Sequence, residues 1–176
     1  MIKEKADFHS IFLKEGDILY TNIYSLDKDK FNNWVVNNFE KVKTIASYEE
    51  VIPTKETMNK IIKKGYDHRS SQCHYSSKAV SLIDESFEYW TGFVHQQDFL
   101  FNIITHSFNI LDGILVDFSK INEKCEIIDK GKEGFPRTYY GIKIPTGFIR
   151  KFEYETLNNH SMKPHLFEWY KEMKSH

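Results

Sequence analysis

A histidine and an aspartate flank a predicted tight turn in the second half of this sequence. Asp112-Gly113 lies between two apolar runs, a pattern that favours a two-residue type I′ hairpin turn. With Leu111 opposite Ile114, side chains alternate so that His106 and Asp117 share one face as diagonal neighbours, roughly 7 Å or less between Cβ atoms. The rest of that face is apolar and is expected to pack on a helix. Burial of two polar groups there requires that they hydrogen-bond to each other.

A cysteine precedes this hairpin in a setting that favours a thiolate. Cys73 follows the polar run 67–72 and begins a stretch with helical spacing. Free backbone N–H groups and the positive end of a helix dipole lower the pKa of a thiol at that position. A thiolate, an imidazole that handles its proton and a carboxylate that orients the imidazole form a nucleophilic triad. We therefore predict that Cys73, His106 and Asp117 are catalytic.

The other cysteine and the remaining histidines are less informative. Cys125 lies in the charged segment 122–126, and its acidic neighbours disfavour a thiolate, so we interpret it as a bystander. A zinc-dependent hydrolase is a third hypothesis, but no ligand spacing matches a structural zinc site. We predict no metal and no cofactor, although these side chains are possible ligands: His68, Cys73, His74, His95 and His106.

The elements that must position the triad are helices followed by strands. The pattern predicts a short strand at 16–24, an amphipathic helix over 28–45 and a helix over 55–64 with Thr54 as its N-cap. Segments rich in β-branched and aromatic residues predict strands at 89–94, 99–110, 114–118 and 139–144, and closing helices are expected at 146–157 and 164–174. The expected fold class is α+β, with the helix that carries Cys73 packed on an antiparallel sheet and with extra N-terminal helices.

Composition restricts the function classes. The 176 residues include 24 Lys and Arg against 25 Asp and Glu, and the net charge of −1 gives no reason to expect nucleic acid or anionic membranes as partners. No stretch has the length of a membrane helix or the pattern of a secretory signal, so a cytoplasmic protein is expected. We predict one domain over 1–176, divided into an N-terminal helical extension (1–66), a catalytic core (67–145) and C-terminal helices (146–176).

Five segments resemble the papain-like and transglutaminase-like superfamily of cysteine hydrolases, including its small bacterial and phage members. These segments are QCHYSS at 72–77, YWTGF at 89–93, THSFN at 105–109, DGILVDF at 112–118 and YYGI at 139–142. The resemblance implies that Cys73 is the nucleophile, His106 the general base and acid, and Asp117 the residue that orients the imidazole. Where papain has a glutamine ahead of its cysteine, this chain has Asp67, so Gln72 is the candidate oxyanion donor together with the Cys73 backbone N–H.

The resemblance implies hydrolysis or acyl transfer at an amide bond in a protein or peptide-like substrate: peptidase, amidase, deamidase or transglutaminase-like chemistry. Trp90, Phe93 and His74 are the candidates for lining the substrate cleft. The alternative is a binding module that keeps the fold without turnover, for instance a phage protein that engages a host factor in the host cytoplasm. The sequence does not predict the oligomeric state.

Overall fold

A computed structural model describes residues 35–37, 39–96, 103–128, 136–153 and 164–176. The strands are β1 (Glu40–Ile45), β2 (Phe87–Gln96), β3 (Ile103–Leu111), β4 (Ile114–Val116) and β5 (Arg137–Ile144). The α-helices are α1 (Lys55–Lys63), α2 (Cys73–Ile83), α3 (Thr146–Glu153) and α4 (Leu166–Lys174), and 3₁₀ turns occupy Tyr48–Glu50 and Phe118–Lys120. The α+β class is confirmed. The strand predicted at 16–24 lies outside the described residues.

The five strands form one antiparallel sheet in the order β1-β5-β2-β3-β4. The helix predicted over 28–45 is wrong from Glu40 onward, because Glu40–Ile45 pairs with β5 as an edge strand. Residues 35–37 are helical, and 28–34 lie outside the described residues. Part of the predicted N-terminal helical extension is therefore a strand of the sheet. The single domain and its other boundaries stay a prediction.

The hairpin between β3 and β4 follows the predicted turn chemistry. Asp112 and Gly113 both have positive φ, 51° and 79°, as a type I′ turn requires. Leu111 pairs with Ile114, and the register predicted from the turn is confirmed. The strand β4 ends at Val116, however, and Asp117 caps the following 3₁₀ turn through its side chain.

The helix α2 packs on the face of the sheet opposite to the predicted one. The Nδ2 atom of Asn109 donates to the carbonyl oxygen of Ser77 at 2.9 Å, so α2 covers the face that carries the odd-numbered side chains of β3. The face with Phe108 and Ile110 instead packs against Ile45 and the first 3₁₀ turn. The expectation that the His106 face packs on a helix is therefore wrong. This face is covered by β1, which the sequence pattern had predicted as part of a helix, and by the 3₁₀ turn that follows it.

Local signals predicted the helix ends well. The helix α1 begins after Thr54, whose Oγ1 accepts a hydrogen bond from the Thr57 N–H at 3.1 Å, and Gly65 follows its end with φ 106°. The predicted helices at 146–157 and 164–174 correspond to α3 and α4, and 154–163 lie outside the described residues. None of the helices within the described ranges has the length and apolar character needed to cross a bilayer.

Candidate active site

The thiol of Cys73 lies at the first residue of α2. The first hydrogen bond of the helical ladder runs from the Ser76 N–H to the Gln72 carbonyl oxygen at 2.8 Å. The backbone N–H groups of Cys73 and His74 therefore precede the first hydrogen bond of the helical ladder, and they concentrate positive potential around the sulfur. The Cys73 side chain is buried, with 8% of the residue exposed.

His106 and Asp117 form a buried pair. The Nε2 atom of His106 lies 2.6 Å from Oδ2 of Asp117, and the two residues are 2% and 1% exposed. Because the carboxylate only accepts, Nε2 carries the proton of this hydrogen bond, and Nδ1 is the nitrogen left for the thiol. The sequence prediction that these two side chains pair is confirmed.

Asp117 is held on both oxygens. Its Oδ1 accepts from the backbone N–H of Ser119 at 3.0 Å and from the Ser119 hydroxyl at 2.6 Å. Its Oδ2 accepts from the Tyr139 hydroxyl at 2.8 Å as well as from His106. These donors fix the carboxylate plane and compensate its removal from water.

The charges of the three groups support one another. Burial would raise the pKa of the Cys73 thiol, but the charges of His74 and His106 and side-chain hydrogen bonding with both rings lower it well below its usual value. Burial opposes protonation of His106, yet the Asp117 carboxylate and the Cys73 thiolate raise the pKa of its imidazole to about 9. Burial likewise opposes the charge of Asp117, and the imidazolium holds the pKa of that carboxyl far below its usual range.

The hydroxyl of Tyr139 stays protonated at neutral and moderately alkaline pH, so it remains a hydrogen-bond donor. Burial and the adjacent Asp117 carboxylate raise its pKa well above the ordinary tyrosine value. Its ring also packs edge to face on the His106 imidazole, with centroids 5.5 Å apart. Tyr139 therefore orients both members of the pair.

Hydrogen bonds between two loops bring the thiol to the imidazole. The Ser71 N–H donates to the Ser119 carbonyl oxygen at 3.0 Å, and the Ser70 hydroxyl donates to the Ile121 carbonyl oxygen at 2.9 Å. These contacts fasten the segment before α2 to the segment after Asp117. Because β4 pairs with β3 only at Asn109–Leu111, this connection occurs beyond the end of β4, beside the part of β3 that carries His106.

The structure unites three predicted catalytic residues and one predicted cleft residue. His74 interacts with the Cys73 thiol and is itself buried, with its Nδ1 atom 2.5 Å from the Ser107 hydroxyl oxygen. Gln72 occupies the N-cap position of α2, half-buried and without a side-chain cap hydrogen bond, so its role as an oxyanion donor stays a prediction.

The two aromatic cleft candidates make packing contacts. Phe93 is fully buried against Phe39, with ring centroids 5.1 Å apart, and its assignment to a cleft wall stays a prediction. Trp90 stacks on Phe108 and donates from Nε1 to Glu88 Oε2 at 2.9 Å. Its contacts are those of a packing residue on the sheet, and nothing in them supports a place in the cleft.

Three residues that contact the triad were not predicted from the sequence to do so. Ser119, two residues after Asp117, has the spacing of a local Asx turn, and that signal was available. Tyr139 comes from β5, and no local pattern links it to Asp117. The interaction of His74 with the thiol was also missed, because the sequence pattern placed His74 only among the possible metal ligands and the cleft candidates.

Within the described ranges, neither the second thiol nor a cluster of metal-ligating side chains forms a competing site. Burial raises the pKa of Cys125, although Lys55 opposes this effect, and the residue lies in a turn with φ 61°. Among the described residues, no group of three or more His, Cys, Asp or Glu side chains is arranged to hold a metal ion. Comparisons with protein family models, curated proteins and solved structures find no match to this chain.

Proposed function

We propose that this protein is a thiol-dependent amide-bond hydrolase or acyltransferase that uses Cys73, His106 and Asp117. The observation that carries the proposal is the buried His106–Asp117 pair at 2.6 Å, adjacent to a thiol of lowered pKa at a helix N-terminus. Structural ion pairs also shift pKa values, but nucleophilic catalysis by a thiol requires a base beside it, and here the imidazole of the pair interacts with the Cys73 thiol. The proposed substrate is an amide in a protein or peptide.

The reaction begins with a thiolate. The Cys73 sulfur attacks the amide carbonyl carbon, the C–N bond breaks, and the His106 imidazolium delivers its proton to the departing amine. Water or an amine then attacks the resulting thioester and takes its acyl group. The attacking molecule gives up a proton to the neutral His106 imidazole, and the Cys73 thiolate leaves. The carboxylate of Asp117 stabilises the imidazolium and fixes the ring so that Nδ1 faces the sulfur.

Charge on the carbonyl oxygen needs donors near the sulfur. The Cys73 backbone N–H is placed at the N-terminus of α2, where it has no partner inside the helix. Together with the helix dipole it offers stabilisation to an oxyanion, and Gln72 is the proposed second donor. Loss of one such donor lowers turnover by about 10²–10³ in well-studied enzymes.

The architecture is consistent with the papain-like and transglutaminase-like superfamily. The nucleophile begins a helix that packs on an antiparallel sheet, the imidazole lies on β3, and the carboxylate follows β4. This order along the chain is the one that the sequence resemblance implies. We retain membership of the superfamily as part of the proposal.

The burial of the thiol favours a second candidate function. Only 8% of Cys73 is exposed, which suits a binding module that keeps a polar triad in its core without turnover. Under that function the low thiol pKa would serve no chemistry. The two functions differ in the reactivity of Cys73.

Alkylation by iodoacetamide at about pH 6, followed by peptide mass spectrometry, tests the proposal. An activated Cys73 is expected to react about 100-fold faster than Cys125, because only its thiolate is populated at that pH. Cys125→Ser should leave this reaction unchanged, and His106→Gln should slow it. Equal reaction of the two thiols would refute the proposal and favour the binding module.

An acyl donor then tests catalysis directly. With p-nitrophenyl acetate, we expect release of nitrophenolate and an acetyl group on Cys73, both abolished in Cys73→Ser and retained in Cys125→Ser. Fast alkylation without an acyl adduct would show that Cys73 is activated and would contradict acyl transfer from an activated ester.

A further inference from the structure

His74 has a buried hydrogen-bonding arrangement of its own. The residue is 1% exposed, and its Nδ1 atom lies 2.5 Å from the Ser107 hydroxyl oxygen on β3. It is also the residue next to Cys73, and its ring interacts with the thiol. The triad described above makes no use of this imidazole.

The direction of the neighbouring hydrogen bonds defines the protonation of His74. The Ser107 hydroxyl donates to Thr91 Oγ1 at 2.8 Å. The neighbouring Tyr89 hydroxyl donates its own proton to the Pro164 carbonyl oxygen at 2.9 Å, not to Ser107. With its only proton committed, the Ser107 oxygen accepts from His74, so Nδ1 carries a proton. The nitrogen that remains for the thiol is Nε2.

The two imidazoles beside the sulfur have different partners. His106 faces a carboxylate, which favours its charged form, whereas His74 faces a hydroxyl that carries no charge. The Asp117 carboxylate therefore favours a His106 ring that holds two protons, and a ring in that state has no free lone pair for a third. Beside such a ring, the Nε2 lone pair of His74 is the one that can receive the proton of the thiol.

We propose that His74 is the general base that removes the Cys73 proton. In this assignment His106, paired with Asp117, is already an imidazolium before that transfer. This assignment rests on the proposed function and refines it. The S–H bond breaks and an Nε2–H bond forms, which leaves a thiolate between two imidazolium rings. The Ser107 oxygen accepts from Nδ1–H before and after the transfer.

The charges of this state balance. Two imidazolium cations face the Cys73 thiolate and the Asp117 carboxylate, and Tyr139 and Ser119 add neutral donors on the carboxylate side. The amide N–H groups at the start of α2 add further positive potential at the sulfur. Repulsion between the two rings is offset by the Cys73 thiolate, with which both rings interact, and by the Asp117 carboxylate that pairs with His106.

Nitrogen NMR of the imidazole rings in the unmodified protein tests the assignment without altering His74. At a pH where Cys73 alkylates rapidly, we expect both His74 nitrogens to be protonated. Alkylation of Cys73 removes the thiolate, so His74 should become neutral with its proton on Nδ1, while His106 remains charged. A neutral His74 beside a reactive Cys73 would overturn the assignment and leave the proposed function intact.

Variants provide an independent measurement. His74→Gln should lower the Cys73 alkylation rate at about pH 6 by about tenfold or more and move its midpoint upward by about one pH unit. Ser107→Ala should produce a smaller shift in the same direction, because Nδ1–H loses its acceptor. The half-buried His95 on β2 serves as the matched control, and His95→Gln should leave the profile unchanged.

The outcomes separate the two proposals. A parent protein whose Cys73 reacts no faster than Cys125 contradicts the proposed function and this assignment together. A reactive parent whose pH profile is unchanged in His74→Gln and Ser107→Ala contradicts the assignment alone. Should His74→Gln fail to fold, the Ser107→Ala profile and the NMR titration of the parent still decide the question.

Discussion

Asp117 is the residue on which the candidate site depends most. Two donors reach Oδ1 and two reach Oδ2, which is as many hydrogen bonds as a carboxylate commonly accepts. Its negative charge is the main reason that the buried His106 imidazole remains protonated. A change of charge at Asp117 should therefore affect catalysis through His106 while the surrounding packing is retained.

Asp117→Asn should lower turnover of an acyl substrate by about 10²–10⁴, the range that general acid–base catalysis supplies. Without the carboxylate, burial dominates and the His106 pKa should fall from about 9, so the alkaline limb of the pH–rate profile moves to lower pH. The measurement is the pH dependence of acetyl transfer. Asp112→Asn, in the exposed turn of the same hairpin, should leave it unchanged. An unaltered alkaline limb would show that Asp117 does not control His106.

Among the elements, the junction of β2, β3 and β5 sets the geometry around His106. Gly92 on β2 pairs with both His106 and Gly141. A Cβ atom added at Gly92 would overlap the Tyr140 carbonyl oxygen and lie 2.7 Å from the Gly141 Cα. Because both obstacles are backbone atoms, no rotamer change relieves the overlap, and glycine is required for the close approach of β2 and β5.

Gly92→Ala should therefore lower the free energy of unfolding by about 3 kcal/mol, the upper part of the usual range for overpacking. Chemical denaturation of the purified variant gives this value. Gly147→Ala in α3, where an added Cβ meets nothing within 4 Å, should be neutral or stabilising by about 0.5 kcal/mol. Similar stabilities for the two variants would contradict the close approach.

The β3–β4 turn permits a second test at the level of the element. Gly113 has φ 79° and free space around it, so an alanine there meets only backbone strain. We expect Gly113→Ala to cost about 1 kcal/mol of stability. Thermal denaturation measures the cost, and a variant as stable as the parent would show that the turn tolerates a side chain at this φ.

Elements defined by local interactions were predictable, and those defined by distant ones were not. The Asp112-Gly113 turn determines its own geometry, so the pairing of Leu111 with Ile114 followed from sequence. The strand β1 forms because its backbone pairs with β5, far along the chain. Its apolar spacing favoured a helix, and tertiary pairing overrode that local preference.

At the scale of the whole molecule, the buried charges make stability depend on pH. The raised pKa of His106 means that its contribution is complete below its ordinary value of 6.5 and is lost as pH rises toward about 9. The lowered pKa of Asp117 means that its contribution is complete above its ordinary value and is lost only in strong acid. The lowered pKa of Cys73 acts in the opposite sense to His106 as pH rises, because its contribution grows toward its ordinary value of 9.0.

Removal of the thiol isolates the histidine contribution. In Cys73→Ala the Asp117 carboxylate alone raises the His106 pKa, so we expect the free energy of unfolding to fall by on the order of 1 kcal/mol as pH rises above 6.5, and this decline should disappear when His106→Gln is added. Urea denaturation at several pH values measures the difference between the two variants. Parallel profiles would show that His106 is not charged in the folded protein.

The sequence by itself determined which three residues are candidates for a triad, because each was predicted from a local signal, a helix start or a tight turn. Cys73 begins a helix, and the Asp-Gly turn brings Asp117 beside His106. Only the tertiary structure decided which groups surround these three. Tyr139 on β5 reaches Asp117, α2 packs on the unexpected face, and Ser107 on β3 supports His74. Such contacts join segments that are remote in the chain, and their geometry is fixed only when the sheet and helices pack together.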